Sequence, residues 1–243
     1  MTDFAKYQAG WSDSDVESHW DSVADVYVAE NNKVKHTHDQ RFVYSLPQLD
    51  LYCGAKVLNI SSRDGEAATY IQKLEPSVEV LNAEISQKLM DVAAQLNPAI
   101  NQVKIGTYSR LPFENEQFDR ILSLETLEHA ANPVEFLSEL HRVSIPDARL
   151  VLSCPPATSE IPYRIYTALF GGHGEGPHKF PSSKTVKSWL KLTGWKLIEH
   201  KGTVLMPVGP RWFKNMFENL IDSAQGTFIS ELGIRQFYVC TKY

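Results

Sequence analysis

Apolar and polar residues alternate with two different periods between residues 55 and 153. Short β-branched, apolar runs are followed by longer stretches in which apolar residues recur at helical spacing. This alternation is typical of βαβ units that build a parallel sheet. The predicted strands of this stretch cover residues 56–60, 78–81, 103–105, 118–124 and 149–153. Five strands with their connecting helices in about a hundred residues predict a compact, doubly wound α/β sheet.

Polar residues mark the starts of the predicted helices. Asp64 and Ser86 stand where a side-chain oxygen can cap the first turn of a helix. The pair Asn132-Pro133 marks a third start. A proline at the first helical position lacks only an N–H that the helix does not use.

The remaining segments are predicted to extend one domain. Strands at residues 195–205 and 237–241 bring the predicted sheet to seven strands. The segment that follows Pro155 and Pro156 is aromatic, rich in glycine and too long for a simple connection, so we expect a functional segment or a lid. The predicted organisation is a single domain over residues 1–243, with an N-terminal helical cap at 1–50, a lid insertion at 155–181 and a helical insertion at 206–234.

Composition and charge favour a small-molecule ligand. The 243 residues are 43% hydrophobic and 22% charged, with a net charge of -5, which is ordinary for a globular protein. The absence of a Lys/Arg block argues against a nucleic-acid binder, and no run reaches the roughly 20 apolar residues of a membrane helix. Cys53, Cys154 and Cys240 form no CxxC pair, so neither a zinc site nor a disulfide framework is predicted. We expect a cytoplasmic protein with a small-molecule substrate and no nucleic-acid or membrane partner; its oligomeric state is left open.

Candidate ligand contacts follow the first two strands. In a doubly wound sheet the ligand lies beyond the carboxyl ends of the strands. The turn after the first strand runs from Asn59 to Gly65, and Glu84 follows the second strand. A carboxylate at that position can accept hydrogen bonds from both hydroxyls of a ribose. The alternative for Glu84 is a solvated charge at a strand end.

An ordered series of short motifs then specifies a family. The series is Leu111-Pro-Phe113, Phe118-Asp119, Leu127-Glu-His129, Asn132-Pro133 and Glu139-Leu-His-Arg-Val143. It resembles the class I S-adenosylmethionine-dependent methyltransferases, in particular the small-molecule group that includes quinone- and biotin-pathway enzymes. The resemblance covers about residues 20–155 and extends to 187–200. It implies a Rossmann-like, seven-stranded, mostly parallel sheet with the last strand antiparallel.

The resemblance also implies a cofactor and its contacts. S-adenosylmethionine would be the cofactor and S-adenosylhomocysteine the product. Glu84 would bind the ribose hydroxyls, Thr107 and Tyr108 would flank the adenine, and Leu124 with Glu125 would lie near the reacting methyl group. The implied cofactor-binding set is Asn59, Ser61, Arg63, Gly65, Glu84, Thr107, Tyr108 and Leu124.

The cofactor loop departs from the family pattern, which is an acid followed by three glycines at alternate positions. Those positions hold Asn59, Ser61, Arg63 and Gly65. One interpretation is that the loop still binds the cofactor, with Arg63 adding positive charge toward the methionine carboxylate. The other is that the site binds a different anion or nothing, with Arg63 pointing to solvent. A non-catalytic protein that binds a ligand or partner, and a cofactor enzyme of another reaction, are therefore alternatives to a methyltransferase.

The candidate catalytic residues lie mainly in the lid. His173, Glu175 and His178 can act as a general base for the methyl acceptor. His129, after strand four, can either contact the acceptor or hydrogen-bond the loop. The glycines around them argue against a metal site, so no metal is predicted. A purely structural loop is the alternative. The candidate substrate-binding residues are Tyr27, Glu125, Tyr163, Arg164 and Tyr166. The function predicted from these residues is direct methyl displacement onto a small-molecule acceptor.

Overall fold

The fold is a seven-stranded sheet with helices on both faces. The computed structural model describes residues 10–33, 35–163, 165, 176–206 and 209–243, without the side chains of residues 36 and 37. The strands are β1 (Lys56–Ile60), β2 (Glu79–Glu84), β3 (Gln102–Lys104), β4 (Phe118–Leu124), β5 (Ser144–Cys154), β6 (Trp195–Thr203) and β7 (Arg235–Lys242). Their order is β3-β2-β1-β4-β5-β7-β6.

The strand directions confirm the predicted fold class. Strands β1 to β5 pair in parallel, and β7 runs antiparallel to both of its neighbours, β5 and β6. Strand β5 begins at Ser144, five residues before the predicted 149. The early part of β5 is joined to Phe118 of β4 across an irregularity in the register. Tertiary pairing therefore extends this strand beyond its apolar run.

Seven helices surround the sheet in the described part of the chain. They are α1 (Asp13–Lys33), α2 (Lys35–Gln48), α3 (Glu66–Leu74), α4 (Gln87–Leu96), α5 (Pro133–Val143), α6 (Ser183–Leu192) and α7 (Arg211–Ser223). None of the described helices is long and apolar enough to cross a membrane.

The helix starts are capped as predicted in two cases out of three. The side chain of Ser86 accepts the N–H of Leu89, and Asn132 accepts the N–H of Glu135. The N-cap residue of α3 is Gly65, with a φ of 73°, and not the predicted Asp64, although Asp64 Oδ1 accepts the N–H of Glu66, the first helical residue, at 3.4 Å. A Cβ at Gly65 would lie 2.2 Å from Ile100 Cδ1. This turn therefore requires glycine by conformation and by space.

Helices cover both faces of the sheet, and alternate side chains of each strand point to opposite faces, so both sets of side chains are buried. Leu58 and Ile121 face the layer formed by α1, α4, α5 and α6. Val57 and Leu122 face the layer formed by α2 and α3. Burial of each such side chain contributes about 1.5–3 kcal/mol to folding.

Helix α1 lies across the carboxyl edge of the sheet. Asp13 at its start accepts the N–H of Tyr108 at 2.8 Å, in the loop after β3. Asp21 accepts the hydroxyl of Ser86 at 2.6 Å, at the start of α4. Its buried face carries Trp20 and Tyr27. The helix thereby covers the strand ends where a doubly wound sheet binds its ligand.

Candidate functional site

The loop between β1 and α3 keeps a glycine-like backbone although two of its residues carry side chains. Ser61 and Arg63 both have a φ of 54°, and Gly65 has a φ of 73°. A residue other than glycine in this left-handed region carries a conformational penalty of about 1–3 kcal/mol. The three positions that the family pattern assigns to glycine therefore have the conformation that glycine favours.

Glu84 ends β2 as a fixed and fully buried acceptor. Its Oε2 accepts the backbone N–H of Arg63 at 2.8 Å. Its Oε1 accepts the N–H of Ile85 at 2.9 Å and that of Ser86 at 3.0 Å. The exposed fraction of Glu84 is 0%, so the alternative of a solvated strand-end charge is wrong. Three amides hold the carboxylate at the end of the strand.

The side chain of Arg63 turns inward onto this carboxylate. Its Nη1 lies 3.4 Å from Glu84 Oε1, and its guanidinium carbon lies 3.7 Å from the centre of the Trp20 ring. Only 6% of Arg63 is exposed, so the alternative that it points to solvent is wrong. The guanidinium is thus held between an aromatic face and a carboxylate, which are its two preferred kinds of partner.

The other predicted cofactor residues are bonded within the chain. The Asn59 amide donates to Asn82 Oδ1 at 2.8 Å, and the hydroxyl of Ser61 lies 3.0 Å from that of Tyr108. The hydroxyl of Thr107 donates to Asp13. Burial raises the pKa of Tyr108, which is therefore a neutral phenol at pH 7. The loop after β3 is consequently joined both to the cofactor loop and to α1.

The exit of β4 holds a second carboxylate–arginine pair. Glu125 has a φ of 53°, and its carboxylate binds the guanidinium of Arg235 on β7 through two contacts, the Nη2–Oε2 distance being 3.3 Å. Burial alone would raise the pKa of Glu125, but the Arg235 charge and its hydrogen bond lower it overall. The preceding residue, Leu124, packs in the core on the α2–α3 face.

Two histidines meet beside Trp20. The rings of His129 and His178 are 6.3 Å apart, and His129 is 5.4 Å from the Trp20 ring. His129 Nδ1 lies 2.8 Å from the carbonyl oxygen of Pro177. Burial, together with the Arg63 charge, lowers the pKa of His129 well below its usual value. A carbonyl oxygen can only accept a hydrogen bond, so Nδ1 of the neutral ring carries the proton and Nε2 is unprotonated.

Tyr163 completes this group, and the other lid candidates cannot be placed. Its ring lies 5.3 Å from that of His178. The segment that carries His178 is fixed to the exit of β4, because the N–H of Lys179 donates to the carbonyl of Glu128 at 2.9 Å. Arg164, Tyr166, His173 and Glu175 lie outside the described residues.

Similarity to known proteins concerns mainly the central part of the chain. A family model described as a methyltransferase domain matches residues 58–152. The mitochondrial ubiquinone biosynthesis O-methyltransferase of Arabidopsis thaliana is 27% identical over 198 residues, which cover 76% of this chain and 58% of the relative. The demethylmenaquinone methyltransferase of Clavibacter sepedonicus is 22% identical over 209 residues, which cover 76% of this chain and 84% of the relative. Residues 58–152 are thus similar to a methyltransferase domain, and both of these relatives are named as methyltransferases.

The fold of the chain also matches solved structures. A crystal structure of an S-adenosylmethionine-dependent methyltransferase from Archaeoglobus fulgidus matches it with a TM-score of 0.62, covering 89% of this chain and 99% of that chain. The sequence identity is 15%, so this likeness concerns the fold alone. The chain spans 58% of the length of the Arabidopsis relative.

Arg41 of α2 is a site residue that sequence reasoning missed. Only 9% of Arg41 is exposed, and its Nε is buried without a hydrogen-bond partner among the described residues. Another guanidinium nitrogen donates to His38 Nε2. Burial, followed by the Arg41 charge, lowers the pKa of His38 to about 4, so His38 is a neutral acceptor at pH 7. The Arg41 charge also helps to lower the pKa of Glu125, and it opposes the burial that raises the pKa of Tyr27. No sequence pattern separates a buried helix arginine from an exposed one.

The residues present fit S-adenosylmethionine in all but one respect. The loop after β1 has the left-handed backbone of a glycine-rich cofactor loop, and Glu84 supplies a fixed carboxylate at the end of β2. The orphaned Nε of Arg41 is a buried donor that a carboxylate would satisfy. The exception is the side chain of Arg63, which lies against the Glu84 carboxylate.

Proposed function

We propose that this protein is a methyltransferase that binds S-adenosylmethionine and transfers its methyl group to a small-molecule acceptor. The observation that carries the proposal is the fully buried carboxylate of Glu84, fixed by three backbone amides at the end of β2. A fixed carboxylate at this strand end accepts the two hydroxyls of a ribose. The relatives named for ubiquinone and menaquinone biosynthesis support a metabolite as the acceptor.

The residues that would hold the cofactor come from separate elements. Glu84 would accept the ribose hydroxyls, and Arg41 would donate its buried Nε–H to the methionine carboxylate. Thr107 and Tyr108 would border the adenine from the loop after β3. When bound, S-adenosylmethionine supplies a methyl group that is already activated for direct displacement.

The chain's own contribution to transfer is positioning and proton removal. Helix α1 covers the strand ends and excludes water there. The neutral His129 ring accepts a proton at Nε2 from an oxygen or nitrogen acceptor. His178 and Tyr163 pack beside it and would border the acceptor, with Glu125 at the exit of β4.

A second candidate function follows from Arg63. Its guanidinium lies on the carboxylate that the ribose would need, and only 6% of the residue is exposed. If this arrangement is permanent, the protein is a non-catalytic member of the family that binds a ligand or partner.

Calorimetric titration with S-adenosylmethionine and S-adenosylhomocysteine tests the proposal. We expect both to bind the wild type, and Glu84→Gln to weaken binding at least about tenfold, because one ribose acceptor is lost. Glu79→Ala is the matched control, since Glu79 is the exposed acid at the opposite end of β2. Thermal unfolding of each variant reports whether it is folded. Absence of binding by the wild type at millimolar ligand would refute the methyltransferase proposal and favour the second candidate.

A further inference from the structure

The ribose position of the proposed site is already filled by a side chain of the protein. We infer that Arg63 is a built-in competitor for the Glu84 carboxylate, and that its guanidinium has to withdraw before the cofactor can bind. This inference rests on the proposed function, because it assumes that Glu84 is the ribose acceptor. In this inference Arg63 sets the affinity for the cofactor and couples that affinity to helix α1.

The first step concerns the acceptor capacity of Glu84. A carboxylate has about four positions at which it can accept a hydrogen bond. Oε1 accepts the N–H groups of Ile85 and Ser86, and Arg63 Nη1 lies 3.4 Å from the same oxygen, whereas Oε2 accepts the N–H of Arg63. Two ribose hydroxyls therefore meet a carboxylate whose Oε1 is already contacted by two amides and the guanidinium. The amides belong to the loop and to the start of α4, so the guanidinium is the group that can leave.

The second step concerns what holds the guanidinium in place. Glu84 is fully buried and Arg63 is 6% exposed, so water screens their attraction little. The Trp20 ring covers the other side of the guanidinium at 3.7 Å. An arginine held between a buried carboxylate and an indole face competes with a ligand for both surfaces.

The third step links this competition to α1. Trp20 lies in the first half of α1, whose start is bonded to Tyr108 through Asp13 and whose Asp21, next to Trp20, is bonded to Ser86. Withdrawal of Arg63 removes the cation from the Trp20 ring while these two anchors remain. Cofactor binding is therefore expected to change the surroundings of Trp20.

The backbone permits a clean test. Arg63 has a φ of 54°, which glycine adopts without strain, so Arg63→Gly removes the side chain and keeps the path of the loop. Arg63→Ala removes the side chain but retains the left-handed strain. Asp147→Gly is the matched control, because Asp147 is an exposed residue with a φ of 60° in β5, outside the site.

The experiment is calorimetric titration of the full chain with S-adenosylhomocysteine. We expect Arg63→Gly and Arg63→Ala to bind at least about tenfold more tightly than the wild type, and Asp147→Gly to bind like it. Tryptophan fluorescence is the second readout. Binding should change the Trp20 emission of the wild type, identified by its loss in Trp20→Phe, and should change it less in Arg63→Gly.

The outcomes separate this inference from the proposed function. If the wild type binds and Arg63→Gly binds equally or more weakly, Arg63 is no competitor and the proposed function stands. If only Arg63→Gly binds, the competition is supported and the wild type is not a methyltransferase. If neither binds at millimolar ligand, both ideas are overturned.

Discussion

Two carboxylates at the carboxyl edge of the sheet are each paired with an arginine, but the two pairs are built differently. Glu84 is fully buried, and three backbone amides bind it besides one guanidinium nitrogen at 3.4 Å. Glu125 keeps 32% of its side chain exposed, and Arg235 binds it through two contacts. An arginine that is secondary to three amides can be exchanged for a ligand. An arginine that binds both carboxylate oxygens, beside a 3.5 Å contact from the Ser153 hydroxyl, belongs to the fold.

The position of each pair in the chain supports this distinction. Arg63 is 21 residues from Glu84 in the chain. Arg63 lies in the loop after β1, and Glu84 ends the neighbouring strand β2. Arg235 is 110 residues from Glu125 and joins β7 to β4 across the intervening β5. Loss of the first pair is therefore expected to change ligand binding, and loss of the second to change stability.

The largest expected effect comes from removing the buried carboxylate itself. Glu84→Ala leaves three backbone N–H groups without their acceptor, and each unsatisfied buried donor destabilises by about 1–3 kcal/mol. We expect the free energy of unfolding in urea to fall by about 3–5 kcal/mol. Glu79→Ala at the other end of β2 should change it by less than about 0.5 kcal/mol. Equal effects of the two variants would contradict the role given to the amides.

The next largest effect comes from the second pair. Arg235→Ala removes the partner of Glu125 and is expected to destabilise by about 2–3 kcal/mol, below the range for fully buried pairs because the Glu125 carboxylate reaches water. Urea unfolding measures this loss, and Arg211→Ala, at an exposed position of α7, serves as its control. A loss no larger than in the control would show that this pair is not structural.

The sheet was predictable from sequence because its signals are local. Alternation of apolar runs predicted all seven strands, and the caps Ser86 and Asn132 predicted two helix starts. The start of β5 at Ser144 was not predictable, because pairing with β4 across a bulge creates it. Asp64 is not the N-cap residue, because Gly65 supplies a left-handed turn there, and the Asp64 side chain accepts the N–H of Glu66 from one residue further out.

The site was less predictable because its contacts join distant residues. The sequence placed Glu84 and the loop at one edge of the sheet. It left the direction of the Arg63 side chain open, because that direction depends on a left-handed backbone that is uncommon for arginine. Arg41 gave no signal, because its burial depends on how α2 packs beside the strand ends. Charge and spacing locate a site, whereas packing decides which charges are already paired within it.

A smaller effect is expected from pH at the second pair. The pKa of Glu125 is lowered by Arg235, so this carboxylate stabilises the fold above its unfolded pKa and loses that contribution as pH falls through its folded pKa. We expect the difference in unfolding free energy between wild type and Glu125→Gln to be constant well above the unfolded pKa of about 4.3 and to shrink as the pH falls below it. Urea unfolding at several pH values measures it. A difference that does not depend on pH would mean that the Glu125 charge contributes nothing.

The smallest expected effect on stability comes from Arg63→Gly, and it discriminates best between the two pairs. The variant loses the contacts with Glu84 and Trp20, but it relieves a left-handed residue that carries a penalty of about 1–3 kcal/mol. Glycine also adds backbone entropy to the unfolded chain, which removes about 0.4–1 kcal/mol of the gain. We expect the free energy of unfolding to stay within about 1 kcal/mol of the wild type, with Arg63→Ala less stable than Arg63→Gly because it keeps the strain. If Arg63→Gly unfolds as easily as Arg235→Ala, both arginines are structural and Arg63 is not held ready for exchange.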